Sequence, residues 1–369
     1  MMLFEIVNFD IRDEVENKTI ALDNILRSYR ERHHVIVSSR ENIKKMGNVA
    51  KLSLEAEKAL EEIHDSFREY KALSSLLNVI VKVDFSNKGI INNEEINSQS
   101  IIHMSYDYFT QSARVQPTTL ITENDVDHKM YEQIIKGYLK SNSDLSGLNF
   151  YFQKHCGYGS HTYKVFSDYK NELKFAFCIV DSDQKYPFAP LGSTAGKFKK
   201  EDFGVRGTTE ARMLLVRELE SLIPIEVIEK LTVEGDYSDT SIDILDKIKA
   251  LDNESDYSFR TYFDHKDGIS LKEAIKPNNK FFWKKFFRNE HGVIIKDCFK
   301  TDNCVECGSC IKIKGFGEKT LEKSVELLET SNVRSIIKKL APNIKSEWDI
   351  IGAKAISWGC VPSGRRERA

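Results

Sequence analysis

The sequence has little net charge and no long apolar run. Its 369 residues include 54 Lys and Arg against 56 Asp and Glu, which gives a formal net charge of −2. The chain therefore lacks the overall basic excess that would indicate binding to nucleic acid. No apolar stretch approaches the roughly 18 residues that a membrane span requires, so no membrane partner is expected. The Walker A loop, with its Gly-Lys-Ser or Gly-Lys-Thr ending, is also missing, so any ATPase function would belong to a separate chain.

Cysteine is scarce, with seven in the chain, but four of the seven cluster at Cys298, Cys304, Cys307 and Cys310. No secretory signal peptide opens the sequence, so we expect a cytoplasmic, reducing compartment, where metal binding outranks disulfide formation. The spacing favours a structural zinc ion held by four thiolates. An iron–sulfur cluster and reduced cysteines without metal are the alternatives.

Acidic residues follow apolar, β-branched runs at two places. Glu123 follows Thr-Leu-Ile-Thr, and Asp181 and Asp183 follow Phe-Ala-Phe-Cys-Ile-Val. Both runs have the composition of buried strands. Because ligands bind beyond the carboxyl ends of parallel strands in open α/β sheets, two neighbouring strands of this kind would bring Glu123, Asp127, Asp181 and Asp183 together.

Such a group of carboxylates predicts a bound cation. Clustered carboxylates raise one another's pKa unless positive charge lies between them. Oxygen ligands without His or Cys suit Mg²⁺ or Mn²⁺. The order of predicted elements is strand, helix, strand, a turn at Gly157 and Gly159, helix, strand, and then Asp-x-Asp. An isolated Asp-x-Asp often occurs by chance. A Glu at one strand end together with Asp-x-Asp at a later strand end is much less common.

Over residues 116–235 the chain resembles the TOPRIM (topoisomerase–primase) domain, whose pattern is Glu after one strand, central glycines and Asp-x-Asp after a later strand. The stretch from Val216 to Pro224 resembles the Arg-Glu-Ile-Glu-Asn element of OLD-type nucleases and related anti-phage effectors, with Ser221 where Asn is usual. Phrases at 262–268 and 347–360 are similar to the C-terminal extensions of these effectors, including TOPRIM regions fused to retron reverse transcriptases.

The resemblance implies roles for individual residues. Glu123 would be the general base or acid and a metal ligand, and Asp181 and Asp183 would hold the principal ion. Asp127 and one of Glu218 and Glu220 would complete a second metal position. Residues two apart on a helix do not share a face, so only one of that last pair is expected to enter the site. A solvated helix face is the alternative for both.

The implied activity is that of a metal-dependent nuclease, in which two Mg²⁺ or Mn²⁺ ions assist cleavage of DNA or RNA phosphodiesters. The resemblance also implies a toxic anti-phage effector restrained by a protein partner acting as sensor or inhibitor, an ATPase or a reverse transcriptase. Topoisomerase or primase chemistry is one alternative. A non-catalytic module that binds nucleic acid or a partner, with a relict acidic site, is the other.

Several lysines are candidates for contact with phosphate. Lys185 and Lys197 flank a loop rich in Pro and Gly, where either would neutralise a scissile phosphate. Lys284 and Lys285 belong to a run from Lys280 to Arg288 that interleaves cations with aromatic residues, a combination that contacts phosphates and stacks on bases. Ordinary surface lysines and an amphipathic core helix are the competing interpretations.

These patterns predict an α/β protein of three domains. Residues 1–115 are expected to form a helical scaffold or docking region, with a short strand at 34–37 and a polar loop or linker at 86–100. Residues 116–235 are expected to form the TOPRIM-like catalytic domain with a parallel sheet. Residues 236–369 are expected to form a mostly helical region stapled by metal at the cysteine cluster.

Overall fold

The structure is a computed structural model that describes residues 2–233, 245–246, 249, 258–287, 298–300 and 312–362. The described residues fall into two compact units, the first from the ranges 1–179, 198–212 and 348–369, the second from 180–197 and 213–347. The predicted boundary between residues 115 and 116 lies inside the first unit, and the one between 235 and 236 lies inside the second.

The fold is mixed α/β with parallel strands, as the sequence predicted. The strands are β1 (Leu3–Val7), β2 (Val35–Ser38), β3 (Val79–Asp84), β4 (Ile91–Ile96), β5 (Gln99–Ser105), β6 (Thr119–Thr122), β7 (Leu148–Phe150), β8 (Gln153–Cys156), β9 (Ala176–Val180), β10 (Gly204–Arg206), β11 (Thr209–Met213), β12 (Ile269–Ser270), β13 (Lys312–Ile313) and β14 (Cys360–Pro362).

The α-helices follow the predicted apolar periodicity closely. They are α1 (Val15–Arg30), α2 (Arg40–Met46), α3 (Leu54–Asp65), α4 (Phe67–Leu73), α5 (Asp125–Ser141), α6 (Thr162–Asn171), α7 (Ile225–Val233), α8 (Phe259–Tyr262), α9 (Leu271–Ala274), α10 (Lys280–Phe287), α11 (Thr320–Thr330), α12 (Val333–Ile337) and α13 (Pro342–Gly359). The N-terminal region that was expected to be helical contains α1 to α4. The C-terminal region that was expected to be mostly helical contains α8 to α13 among the described residues.

The prediction of a helical N-terminal region was wrong, because this region also contains a five-stranded sheet. The strand order is β2-β1-β3-β5-β4, with β1 parallel to β2 and β3, β3 parallel to β5, and β4 antiparallel to β5. Short apolar runs such as Leu3–Val7 form buried strands only through pairing with segments far along the chain. Because the segments between these strands have helical periodicity, the whole region was predicted to be helical.

The predicted loop at 86–100 is instead a β-hairpin made by β4 and β5. Its two turn residues, Asn97 and Ser98, have φ of 49° and 66°, which is the conformation of the type I′ turns that join antiparallel strands. The polar strand β4 lies at the edge of its sheet, where apolar alternation is not required. The polar composition that suggested a linker therefore reflects an edge strand.

The second sheet is built from strands within residues 116–235, where a parallel sheet was predicted. Its order is β10-β11-β9-β6-β8, and β6 is parallel to both β8 and β9. The two strands that precede the acidic residues, β6 and β9, are therefore parallel neighbours, as predicted. The third strand is β8, at Gln153–Cys156, while Leu148–Phe150 pairs with β14 instead.

Candidate functional site

Glu123 follows β6 in a turn that backbone contacts hold in place. Its carbonyl accepts hydrogen bonds from the Gly159 N–H at 3.2 Å and from the Cys156 thiol at 3.3 Å. Gly157 donates its N–H to the Thr122 carbonyl at 2.7 Å, and a Cβ there would lie 2.2 Å from the Thr162 hydroxyl oxygen. The predicted glycine turn thus packs directly against the end of β6, which leaves the half-buried Glu123 side chain on a fixed backbone.

Asp127, predicted as a metal ligand, takes part in the capping of helix α5. Asn124 is the N-cap residue, and one Asp127 oxygen accepts the Asn124 N–H at 2.8 Å, which completes a capping box. Asp125 is the first residue of the helix. The role of Asp127 as a ligand stays a prediction, with one of its carboxylate oxygens committed to the cap.

In the second unit, Asp183 stands in a loop held to the chain segment at 213–217. Its N–H donates to the Arg217 carbonyl at 2.8 Å, and the Ser182 hydroxyl donates to the Val216 carbonyl at 2.7 Å. The φ of Asp183 is 54°, a left-handed conformation that Asp tolerates better than most residues. A Cβ on Gly192 would lie only 2.0 Å from Asp183 Oδ2, so glycine is required beside this carboxylate.

Glu218 and Glu220 are both buried, so the alternative of a solvated helix face is excluded for them. Only 7% of Glu218 and 1% of Glu220 is exposed. The pKa of Glu218 is raised to about 7, mainly because burial removes the carboxylate from water and secondly because of the charge on Asp264. Burial also raises the pKa of Glu220, with a further contribution from Glu218.

The expectation that only one of these two side chains enters the site stays a prediction, but its premise does not hold. It assumed a continuous helix, whereas Glu218 is an extended N-cap residue with φ of −146° ahead of a 3₁₀ turn at Leu219–Leu222. Both carboxylates consequently act on the same group, the ammonium of Lys266. They and Asp181 raise its pKa together, and their attraction exceeds the opposing effect of burial.

Lys266 is the residue that sequence reasoning missed. Its Nζ lies 2.8 Å from Glu220 Oε1. Two neighbours support the same cluster, since Arg217 pairs with Asp264 and the His265 N–H donates to Glu218 Oε1 at 2.7 Å. The phrase Tyr-Phe-Asp-His-Lys-Asp-Gly is distinctive in the sequence, but its distance along the chain from Glu218 and Glu220 concealed the contact.

His265 lies within this cluster as a neutral imidazole. The ring is fully buried, and its pKa is lowered to about 3 because burial disfavours the charged form and the positive charge of Arg260 adds to the effect. The ring Nδ1 lies 3.1 Å from the Phe263 carbonyl. His265 therefore contributes a backbone donor to Glu218 and no positive charge.

The predicted phosphate-binding lysines have different surroundings. Lys185 forms an ion pair with Glu273 at 3.0 Å, while Lys197 and Lys284 are exposed. The side chain of Lys285 lies outside the described residues. The aromatic run that contains Lys284 is in part a core helix, since Trp283 and Phe287 of α10 are buried.

The carboxylates offer the oxygen donors that Mg²⁺ and Mn²⁺ prefer, so the chemistry of the donor set fits the predicted ions. In the described part of the chain, however, no three or more His, Cys, Asp or Glu side chains are grouped closely enough to hold a metal. Lys266 supplies positive charge at Glu220 instead. Of the predicted zinc ligands, Cys298 is a half-buried thiol, and Cys304, Cys307 and Cys310 lie outside the described residues.

Among the helices that the structure describes, none has both the length and the apolar character needed to cross a membrane. Comparison with known proteins found no match for this chain among family models, curated proteins or solved structures.

Proposed function

We propose that this protein is a metal-dependent nuclease that hydrolyses phosphodiester bonds in DNA or RNA, on a TOPRIM-like core. The observation that carries the proposal is the position of Lys266. Its ammonium contacts the buried Glu220, and the charges of Glu218 and Asp181 help to raise its pKa. One ammonium does not balance three carboxylates, so the remaining negative charge is suited to bind a metal cation. Cleavage of a phosphodiester needs positive charge to stabilise its anionic transition state.

The carboxylates would divide the binding and proton-transfer roles. Asp181 and Asp183 would hold the principal Mg²⁺ or Mn²⁺ ion, with Glu218 or Glu220 as further ligands. The bound ions would supply charge neutralisation and lower the pKa of a coordinated water. Glu123, fixed at the end of β6, is assigned as the general base or acid from its sequence position.

Glu218 would transfer protons, and Lys266 would attract the phosphate of the substrate. With a pKa of about 7, Glu218 exchanges a proton near neutral pH, where general acids and bases work best. The Lys266 ammonium stays charged throughout this range because its pKa is raised. It would therefore attract the phosphate of the substrate even before any other cation binds.

Incubation of the purified protein with plasmid, single-stranded DNA and total tRNA, with and without Mn²⁺, tests the proposal. Cleavage that requires the ion is expected, and Glu123→Gln or Asp181→Asn should each reduce it by at least about 100-fold. Asp144→Asn removes an exposed carboxylate elsewhere and should cleave normally. Full activity in either Glu123→Gln or Asp181→Asn would overturn the assignment.

A non-catalytic binding module is the second candidate, favoured by one specific observation. Lys266 already pairs with Glu220, and the described residues hold no ready group of three metal ligands. Calorimetric titration with Mg²⁺ and Mn²⁺ separates the two candidates, with Asp181→Ala as the control. Binding of either ion that Asp181→Ala abolishes supports the enzyme. Absence of binding supports the module.

The resemblance to anti-phage effectors supports one further proposal, that the nuclease is cytoplasmic and restrained by a protein partner. A sensor or inhibitor, an ATPase or a reverse transcriptase, would keep the activity low until infection. If so, overexpression of the chain alone should slow bacterial growth, and Asp181→Asn should relieve the effect. Equal toxicity of both proteins would contradict this proposal.

A further inference from the structure

A groove of about 660 Å³ lies within the second unit and includes Asp183 in its lining. One wall is formed by the loop at 183–192, with Lys185 and Tyr186, and the other by residues 273–279, with Lys276 and Asn278. The groove thus extends from Asp183, one of the proposed metal ligands, to residues that have no role in the proposed cleavage step.

The segment that forms one wall of the groove is rich in lysine. In the groove itself, Lys185 and Lys276 share the carboxylate of Glu273, at 3.0 and 2.5 Å, and Asp183 is the other carboxylate of the lining. From Leu271 to Lys284 the chain has four lysines and one glutamate. In a chain whose net charge is −2, this local excess is suited to a polyanion.

Two phenylalanine rings next to the groove-lining segments are almost fully in water. Phe188, in the loop at 183–192, is 88% exposed, and Phe281, two residues after Asn279, is 83% exposed. The Lys280 ammonium lies 5.4 Å from the centre of the Phe281 ring. Aromatic side chains beside cations bind unpaired bases by stacking.

The remaining aromatic residues of α10 show why Phe281 differs from them. Trp283 is fully buried and donates its Nε1–H to the Lys185 carbonyl at 2.9 Å. Phe282 stacks on Phe259 with ring centres 4.6 Å apart. The first contact joins α10 to the loop that contains Lys185 and the second joins it to α8, whereas the Phe281 ring of α10 is exposed.

We propose that this groove binds a single-stranded segment of nucleic acid, with its phosphates at the lysines and its bases stacked on Phe188 and Phe281. That cleavage occurs at the end of the groove lined by Asp183 rests on the proposed function. Single strands are favoured because bases inside a duplex already stack on one another and present only their edges. Bases held inside a double helix could not stack on these rings.

Binding without cleavage provides the test. Fluorescence anisotropy in EDTA is measured with labelled 20-nucleotide oligo-dT and oligo-U and with a 20-base-pair duplex. The single strands are expected to bind more tightly than the duplex. Phe188→Ala and Phe281→Ala should each weaken single-strand binding by roughly tenfold, the range for loss of one base stack, and should leave duplex binding unchanged.

Matched controls isolate the role of the rings. Tyr151→Ala removes a 52% exposed ring from the first unit and should bind like the unchanged protein. Lys276→Gln should weaken binding of all three probes and reduce the salt dependence, since a phosphate contact is lost. Thermal unfolding verifies that each variant is folded, which is expected because both phenylalanine rings are exposed.

The outcomes distinguish this inference from the proposed function. Equal affinity for duplex and single strand would overturn the proposal that the groove binds single strands, even if the protein cleaves nucleic acid. Unchanged single-strand affinity in both Phe188→Ala and Phe281→Ala would overturn it as well. Selective, ring-dependent binding of single strands by a protein that cleaves nothing would support the groove and reject the nuclease. The oligo-dT and oligo-U probes show which nucleic acid is preferred.

Discussion

Lys266 Nζ lies 2.8 Å from Oε1 of Glu220, a carboxylate whose side chain is 2% exposed. The pKa of the lysine is raised by this carboxylate and by Glu218 and Asp181. Burial nevertheless raises the pKa of Glu220 as well, so the loss of hydration outweighs the attraction that Lys266 provides. The pair is therefore weak evidence for stability, although removal of one partner would leave a buried charge.

Lys266→Met should destabilise the protein, because it leaves Glu220 buried without its cation. We expect a loss of about 2 kcal/mol in the free energy of unfolding, below the value for a fully buried pair since the ammonium is partly exposed. Adding Glu220→Gln to Lys266→Met should recover most of the loss. Urea unfolding measures both effects, with the exposed Lys314→Met as control. Equal stability of Lys266→Met and the unchanged protein would contradict this account.

Glu218 should make stability depend on pH. Its ordinary pKa of 4.5 is raised to about 7 by folding, so the folded protein binds more protons than the unfolded chain between these values. Stability should therefore fall as pH rises through this window, by on the order of 3 kcal/mol, and then level off. Glu218→Gln cannot ionise and should lack this decrease.

Unfolding free energies measured at pH 5 and pH 8 test this prediction. The advantage of Glu218→Gln over the unchanged protein should be larger at pH 8. Glu326→Gln alters an exposed carboxylate and should show no such difference. An advantage of Glu218→Gln that is the same at both pH values would mean that burial does not raise the pKa of Glu218.

Mg²⁺ or Mn²⁺ should stabilise the folded protein more strongly at pH 8 than at pH 5, because the ion competes with the protons on its carboxylate ligands. An ion present at about 100 times its Kd would add about 2.7 kcal/mol. Thermal unfolding with and without the ion measures this directly. Asp181→Asn should respond weakly at either pH, and a full response in this variant would remove Asp181 from the metal site.

Gly192→Ala should damage the site at Asp183. The new Cβ would lie 2.0 Å from Asp183 Oδ2 and 2.3 Å from its Cβ, so the whole side chain must move, at a cost of about 1–3 kcal/mol. Displacement of a ligand by about 1 Å typically lowers activity on the order of 100-fold. Gly196→Ala is the matched control, because nothing lies within 4 Å of a Cβ there. Similar cleavage rates in both variants would contradict the role of Asp183.

The cysteine cluster should hold one structural zinc ion per chain. Cys298, Cys304, Cys307 and Cys310 supply four thiolates, so a chelator should destabilise the region around 290–315 and Cys307→Ser should lower stability before it affects cleavage. Elemental analysis of protein purified without oxidation decides the matter. Iron in a brown sample, or protein free of metal, would contradict the prediction.

The sequence by itself determined the elements whose signals are local. Apolar periodicity predicted helices such as α3 and α5, and β-branched runs predicted β6 and β9, because both patterns report burial within one short segment. The predicted acidic cluster required β6 and β9 to be neighbours, and the sheet shows that the two strands pair in parallel. Glu123, Asp181 and Asp183 could therefore be assigned to strand ends from the amino-acid pattern alone.

Tertiary structure decided what depends on segments distant in the chain. The N-terminal sheet pairs β1 with β3, and neither strand is distinctive until its partner is known. Glu218 and Glu220 were placed on one helix, with a single metal ligand expected from the pair and a solvated helix face as the alternative. A 3₁₀ turn and burial instead let the charges of both carboxylates act on Lys266. Charge acts through space and not along the sequence, so only the folded chain could show which cation these carboxylates share.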